Sequence, residues 1–180
     1  ALDVSNSMLA EDIKPNRIEK AKFSIQRIIN KLEQNKISII TFAGEAYIQL
    51  PMTTDVGASK LFLQNISTNS IDKQGTAIGA AISKCMRSFS GNDKVAKTII
   101  VISDGENHED DAVGIAQQAR EKGISVHTVG MGTTNGVPIP IKNQYGQTNF
   151  LMDRNGSPVT TKLNEQMLQE IAAAGGGVYS

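Results

Sequence analysis

Three short polar stretches, far apart in the chain, carry oxygen-bearing side chains of the kind that hold a hard cation: Asp3-Val4-Ser5-Asn6-Ser7, Gly75-Thr76 and Ser103-Asp104-Gly105. In the first, alternate residues of an extended segment point the same way, so one carboxylate and two hydroxyls are offered to one point. Thr76 adds a third hydroxyl and Asp104 a second carboxylate. The candidate ligands are therefore Asp3, Ser5, Ser7, Thr76 and Asp104. An all-oxygen set of moderate charge suits Mg²⁺, Mn²⁺ or Ca²⁺ rather than zinc or copper. Octahedral coordination asks for six oxygens. The hydroxyls supply three, the aspartates act directly or through water, and at least one position is left for an outside ligand. If the aspartates lie mainly behind coordinated water, the ion stays electrophilic and favours a carboxylate brought by a partner protein.

Such loops meet only if strands and helices alternate around them. Ala1-Leu2-Asp3-Val4 reads as the tail of a buried strand. Ile18, Ala21, Ile25, Ile28, Ile29 and Leu32 then recur at helical spacing, with Pro15 suited to the first turn of that helix. Ile37 to Phe42 and Ala46 to Leu50, joined through Gly44-Glu45, read as an antiparallel edge hairpin that Pro51 ends. Leu61, Phe62 and Ile66 mark a second helix, and Ile78, Ala81, Ile82, Cys85, Met86 and Phe89 a third, closed by Gly91. Thr98 to Ile102 is a continuous β-branched run, the pattern of a central parallel strand covered on both faces. A helix over 111–122 leads into a strand over 124–129, and Leu163 to Ala174 forms a last helix before three glycines and the strand residues Val178-Tyr179. Alternation of this kind predicts an α/β fold: a doubly wound, mostly parallel Rossmann-like sheet with helices on both faces and one antiparallel edge strand. In such sheets ligands bind at the carboxyl ends of the central strands, which is where all three polar loops fall.

Between 130 and 161 the pattern changes. Val137, Ile139 and Ile141 alternate with prolines, and Tyr145-Gly146 and Asn155-Gly156 offer turns, so a small β-meander is expected to be inserted there within one domain covering 1–180. Leaving from the carboxyl end of a strand, it would either decorate the fold or wall one side of the metal site and dock a second protein.

Composition narrows the function classes. The chain has 180 residues, 18 Lys plus Arg against 18 Asp plus Glu, and one cysteine. A neutral balance gives no field toward nucleic acid or an anionic membrane. One cysteine excludes internal disulfides and a cysteine-cluster zinc site. No apolar run approaches the roughly 18 residues that span a bilayer, and no signal-peptide layout stands near Ala1, so the chain as it stands reads as soluble.

Asp-x-Ser-x-Ser with a distant Gly-Thr and a strand-terminal Asp-Gly resembles the metal-ion-dependent adhesion site (MIDAS) of von Willebrand factor A (VWA) domains. Asp3 to Met8, Pro15-Asn16-Arg17, Gly75-Thr76-Ala77-Ile78-Gly79, Ser103-Asp104-Gly105-Glu106-Asn107, Gly136-Val137-Pro138-Ile139-Pro140 and Gly176-Gly177-Val178-Tyr179 resemble more narrowly the bacterial Bat (aerotolerance-operon) proteins. The resemblance implies a magnesium-type ion at the five residues above and a binding module without catalysis. It also implies a full-length protein anchored in the bacterial inner membrane by flanking segments, with this domain facing the periplasm. Its implied partners are proteins of the same operon that offer an acidic residue to the metal, with no role for nucleic acid.

The rival reading is a magnesium-dependent phosphatase or other hydrolase that uses Asp3 as nucleophile. Ser5 stands where such an enzyme would place its second acid, no lysine can be assigned, and neither a Gly-x-x-x-x-Gly-Lys-Ser/Thr loop nor a Gly-x-Ser-x-Gly elbow occurs. Glu106, His108, Glu109, Asp110 and Asp111 read as a solvated acidic loop that starts a helix, with Asn107 or His108 touching a bound partner as the sharper alternative. His127 reads as a strand imidazole and Cys85 as a small core residue.

Overall fold

The computed structural model describes residues 1–32, 34–89, 95–107, 110–142 and 146–180. The chain runs β1 (Leu2–Asp3), α1 (Arg17–Lys31), β2 (Ile37–Phe42), β3 (Ala46–Thr53), α2 (Val56–Gln64), α3 (Ile78–Ser88), β4 (Lys97–Ser103), α4 (Ala112–Glu121) and β5 (Ile124–Gly130). Four short strands follow, β6 (Val137–Pro138), β7 (Pro140–Lys142), β8 (Thr148–Phe150) and β9 (Thr160–Thr161), then α5 (Glu165–Ala174) and β10 (Gly176–Tyr179). One six-stranded sheet has the order β10-β5-β4-β1-β2-β3, parallel throughout except for the β2–β3 pair. This is the doubly wound α/β architecture expected, with its antiparallel strand at an edge.

The two-residue period of β4 places its side chains in two cores. Ile99 and Val101 join Ile78, Ile82 and Cys85 of α3, Ala116 of α4 and Leu168 and Ile171 of α5 on one face. Ile102 joins Leu2, Val4, Ile18, Ala21 and Ile29 on the other, under α1 and α2. Both faces of the central strands are thus covered, which is why the run Thr98 to Ile102 shows no polar alternation.

Several boundaries differ from those the sequence implies. Pro15 precedes α1 rather than opening it: Asn16 is the N-cap, its side chain accepting from the Glu19 backbone N–H at 2.9 Å, and the Lys14–Pro15 peptide is cis. Pro51 does not end β3, which runs on to Thr53. On an edge strand a missing N–H costs no ladder bond, and the register shifts beside it, from Ile39↔Leu50 to Ile37↔Thr53. In α2, capped by Asp55 onto the Ala58 N–H at 2.8 Å, the buried residues are Ser59 and, of the apolar ones, Leu63. Leu61 and Phe62 face outward at 59% and 39% exposure, and Ile66 is buried beyond the helix end. Phe89 is the C-cap of α3, and Gly91 and Tyr145 lie outside the described residues.

The inserted segment is a small antiparallel unit with nested pairing. β7 pairs with β8 inside, β6 with β9 outside, and Ile139 is bridged to both Leu151 and Val159 by backbone hydrogen bonds. His127 accepts from the Val178 N–H at 3.1 Å and so serves the β5–β10 edge, while Cys85 is buried in the core. No described helix is long and apolar enough to cross a membrane.

Candidate metal centre

The three polar loops converge at the carboxyl end of β1 and β4. Asp3 ends β1 at 0% exposure. Its Oδ1 accepts from the Ser5 N–H at 2.9 Å and its Oδ2 from the Ser103 hydroxyl at 2.6 Å. The chain then enters a 3-10 turn over Asn6–Leu9, which brings the Ser5 and Ser7 hydroxyls within 3.0 Å of each other. Thr76 sits just before α3, in a loop tied to its neighbours on two sides. The Ala77 N–H donates to Ala43 O at 2.8 Å, and Gln74 accepts from the Asn6 N–H at 3.0 Å. Gly44 lets that loop approach β2, because a Cβ there would meet Gln74 O at 2.5 Å.

Asp104 follows β4, also at 0% exposure, and accepts from the Glu106 N–H at 3.2 Å. The turn after it needs Gly105, which has φ +77° and would bring a Cβ to 2.6 Å from Asn164 O. Ser5, Ser7 and Thr76 line one concavity of about 210 Å³, together with Asn6, Gln74, Gly75, Glu106 and Leu151. All five residues picked out in the sequence are thus gathered at one crest, the hydroxyls lining the concavity and the carboxylates buried.

The remaining partners were not legible as site residues. Arg17 is buried at 0% exposure on the first turn of α1. Its Nε and Nη2 each reach an Asp12 oxygen at 2.9 Å, and Nη1 reaches both Asp104 Oδ2 and Thr161 Oγ1 at 2.9 Å. Asp12 in turn accepts from the Thr133 N–H at 2.7 Å, and Glu106 from the Thr161 hydroxyl at 2.9 Å and the Lys162 N–H at 3.1 Å. Arg17 therefore ties the Asp104 loop to both feet of the insertion. One sequence signal existed: an arginine in the first turn of a helix opposes the macrodipole and calls for a carboxylate partner.

Burial and the charge of Asp104 push the Asp3 carboxyl up to about 7, against hydrogen bonds from Ser103 and Ser5. Burial also raises Asp104, opposed by a hydrogen bond from Ser7 and by the Arg17 charge. Asp104 has a cation at 2.9 Å, whereas the donors to Asp3 are neutral, so Asp3 is the carboxylate in want of positive charge.

The acidic loop after Gly105 is largely structural. Asp110 caps the first turn of α3 through the Gly79 and Ala80 N–H groups at 2.9 and 2.7 Å, and Asp111 caps α4. Asn107, a candidate for partner contact, accepts from the Ile78 N–H at 3.1 Å and donates to Asp110 O at 2.7 Å. Both ends of its amide are thus spent on holding α3 against the loop. His108 and Glu109 lie outside the described residues.

The donor set fits a divalent oxygen-preferring ion. Three neutral hydroxyls line the concavity above two buried carboxylates, and no lysine or arginine is among its described lining residues. Among the described residues no cluster of three His, Cys, Asp or Glu side chains forms a metal site of the other kind.

A mostly parallel sheet with this strand order, and with Asp-x-Ser-x-Ser, Thr and Asp loops at its crest, defines a class. The sequence profile of the von Willebrand factor type A domain matches residues 1–106. The chain belongs to that family. It is similar to BatB from Bacteroides thetaiotaomicron, a conserved hypothetical protein of known crystal structure. That likeness has 50% identity and a TM-score of 0.95, and covers 99% of this chain and 85% of that one. It is similar also to an aerotolerance-related membrane protein from Bacteroides fragilis, with 49% identity, a TM-score of 0.94, and coverage of 99% and 87%. The UPF0353 protein of Nocardia farcinica is 31% identical over an alignment of 197 positions that covers 99% of this chain and 55% of the relative. The chain spans about half the length of the curated relatives it matches.

Proposed function

We propose that this domain is a divalent-metal-dependent protein-interaction module. Ser5, Ser7 and Thr76 hold Mg²⁺, or Mn²⁺ or Ca²⁺ in its place, with Asp3 and Asp104 behind them, and the ion takes a carboxylate from a partner protein. The observation that carries this reading is the shared concavity: three hydroxyls from two separate loops open onto it, above two carboxylates of which one lacks a cationic partner among the described residues. An ion held mainly by neutral hydroxyls keeps enough positive charge to attract an anionic side chain from outside.

The hydrolase reading fares worse on geometry. Asp3 is fully buried with both oxygens engaged, so a nucleophilic attack from it has no open path to substrate. Ser5, two residues on, is bonded to Ser7 rather than being an acid.

The likeness to the aerotolerance-related membrane protein supports a membrane-associated full-length protein. The same proposal anchors it in the bacterial inner membrane, with this domain facing the periplasm and proteins of the same operon as partners. Protease accessibility in spheroplasts tests the orientation: cleavage only after lysis would place the domain in the cytoplasm.

Calorimetric titration with MgCl₂ and MnCl₂ tests the metal site. Binding is expected in the wild type and at least tenfold weakened in Asp3→Ala and in Ser5→Ala with Ser7→Ala. Absence of uptake by a folded wild type, or equal uptake by the variants, overturns the assignment. Hydrolysis of p-nitrophenyl phosphate by the wild type but not by Asp3→Ala would favour the enzyme.

A further inference from the structure

Most of the described residues that line the concavity above the candidate metal residues carry polar side chains. Among its described lining residues one is aliphatic, Leu151, and one is charged, Glu106. Both are held by the inserted unit or by its return to the sheet. The Leu151 N–H donates to Ile139 O at 2.9 Å, and Leu151 O accepts from the Val159 N–H at 2.8 Å. Its backbone is therefore clamped between two neighbouring segments, while its side chain remains half-exposed at the concavity. Glu106 is fixed by the Thr161 hydroxyl at 2.9 Å and the Lys162 N–H at 3.1 Å, both neutral donors that orient the carboxylate without cancelling its charge.

A wall with these two features discriminates among acidic ligands. An anionic group entering the concavity meets an aliphatic surface on one side, and apolar contact there adds affinity for whatever neighbour shields Leu151 from water. A second negative charge meets Glu106 in a concavity with no lysine or arginine among its described lining residues, the Arg17 guanidinium lying behind Thr161, and like charges there cost affinity. Resting on the carboxylate-binding reading above, we infer that the preferred partner segment is a protein strand or loop with a single acidic residue beside an aliphatic one. Leu151 and Glu106 are the residues that select it over consecutive acids.

Four capped tetrapeptides, Gly-Glu-Leu-Gly, Gly-Glu-Ser-Gly, Gly-Glu-Glu-Gly and Gly-Gln-Leu-Gly, test this by NMR titration of the whole chain with and without MgCl₂. The quantity read is the ratio of affinities of two peptides on the same protein sample, so a change in fold or metal content of a variant cancels. In the wild type with magnesium, Glu-Leu is expected to bind about fivefold tighter than Glu-Ser, as partial burial of one aliphatic side chain provides. Glu-Glu is expected to bind several-fold more weakly than Glu-Ser.

Leu151→Ala should bring the Glu-Leu to Glu-Ser ratio to near one, Leu151→Val should leave it intermediate, and Glu106→Gln should close the gap between Glu-Glu and Glu-Ser. A wild-type Glu-Leu preference that is absent, or that survives Leu151→Ala, overturns the role of Leu151. Equal binding of Glu-Glu and Glu-Ser in the wild type overturns that of Glu106. If the Gln peptide binds as tightly as its Glu counterpart, or magnesium has no effect, the carboxylate reading itself falls and this inference falls with it. The first two failures leave that reading standing.

Discussion

Replacing Arg17 with methionine, similar in length and uncharged, removes the cation that three parts of the molecule share. Its side chain is 0% exposed, against 3% for Asp12 and 0% for Asp104, so neither carboxylate has water to fall back on. Four hydrogen bonds of 2.9 Å are lost, two of them a bidentate pair with Asp12. Breaking a buried ion pair from one side costs about 3–5 kcal/mol, because the remaining charge stays buried and unpaired. Against a total stability of about 5–15 kcal/mol for a domain, that is a large share. Arg17→Met is therefore expected to lower the unfolding free energy at pH 7 by about 3–5 kcal/mol, read by urea denaturation followed by circular dichroism. Adding Asp12→Asn should restore part of the loss, since one of the two stranded charges is then gone. A single variant within about 1 kcal/mol of the wild type, or a double variant that loses the sum of the two single losses, would show that the network does not hold the fold as its geometry implies.

Burial would raise the Asp12 carboxyl, but hydrogen bonds from Arg17 and Thr133 and the Arg17 charge outweigh it and hold it at about 2, below its ordinary 3.8. A carboxyl depressed on folding contributes stability that is fully present above its unfolded value and is lost as pH falls through the folded one. Asp12 should thus contribute about 2 kcal/mol above pH 4, fading between about pH 4 and 2, and Asp12→Asn should flatten that part of the curve of unfolding free energy against pH. An unchanged slope would count against the pairing. Thr41 Oγ1 is a buried side-chain oxygen without a hydrogen-bond partner among the described residues, so Thr41→Val should raise stability by about 1 kcal/mol. A calorimetric melting temperature equal to or lower than that of the wild type would mean the hydroxyl has a partner in solution.

Much of the fold follows from local pattern. Thr98 to Ile102 could be read as a buried central strand because a strand covered on both faces has no reason to alternate, and the stripes of α1 and α3 show which face each helix buries. The stripe of α2 misled because a nine-residue helix with scattered apolar residues has no single dominant face, and only packing under the sheet selected Leu63 over Leu61 and Phe62. Pro51 suggests a stop because a strand interior ordinarily uses every N–H, a need that an edge position relaxes. Asn107 looked free for a partner because nothing nearby in the chain reveals that the unfilled N–H of Ile78, 29 residues away, lies within reach.

The sequence by itself determined the α/β alternation and the types and spacing of Asp3, Ser5, Ser7, Thr76 and Asp104, since both are properties of short segments. Tertiary structure decided what surrounds those five: that Ser103 holds Asp3, that Arg17 holds Asp104 from 87 residues away, and that Leu151 of the insertion walls the concavity. The physical reason is that a buried charge takes whichever partner the packing brings within about 3 Å, and that choice depends on the sheet order, which no local window contains.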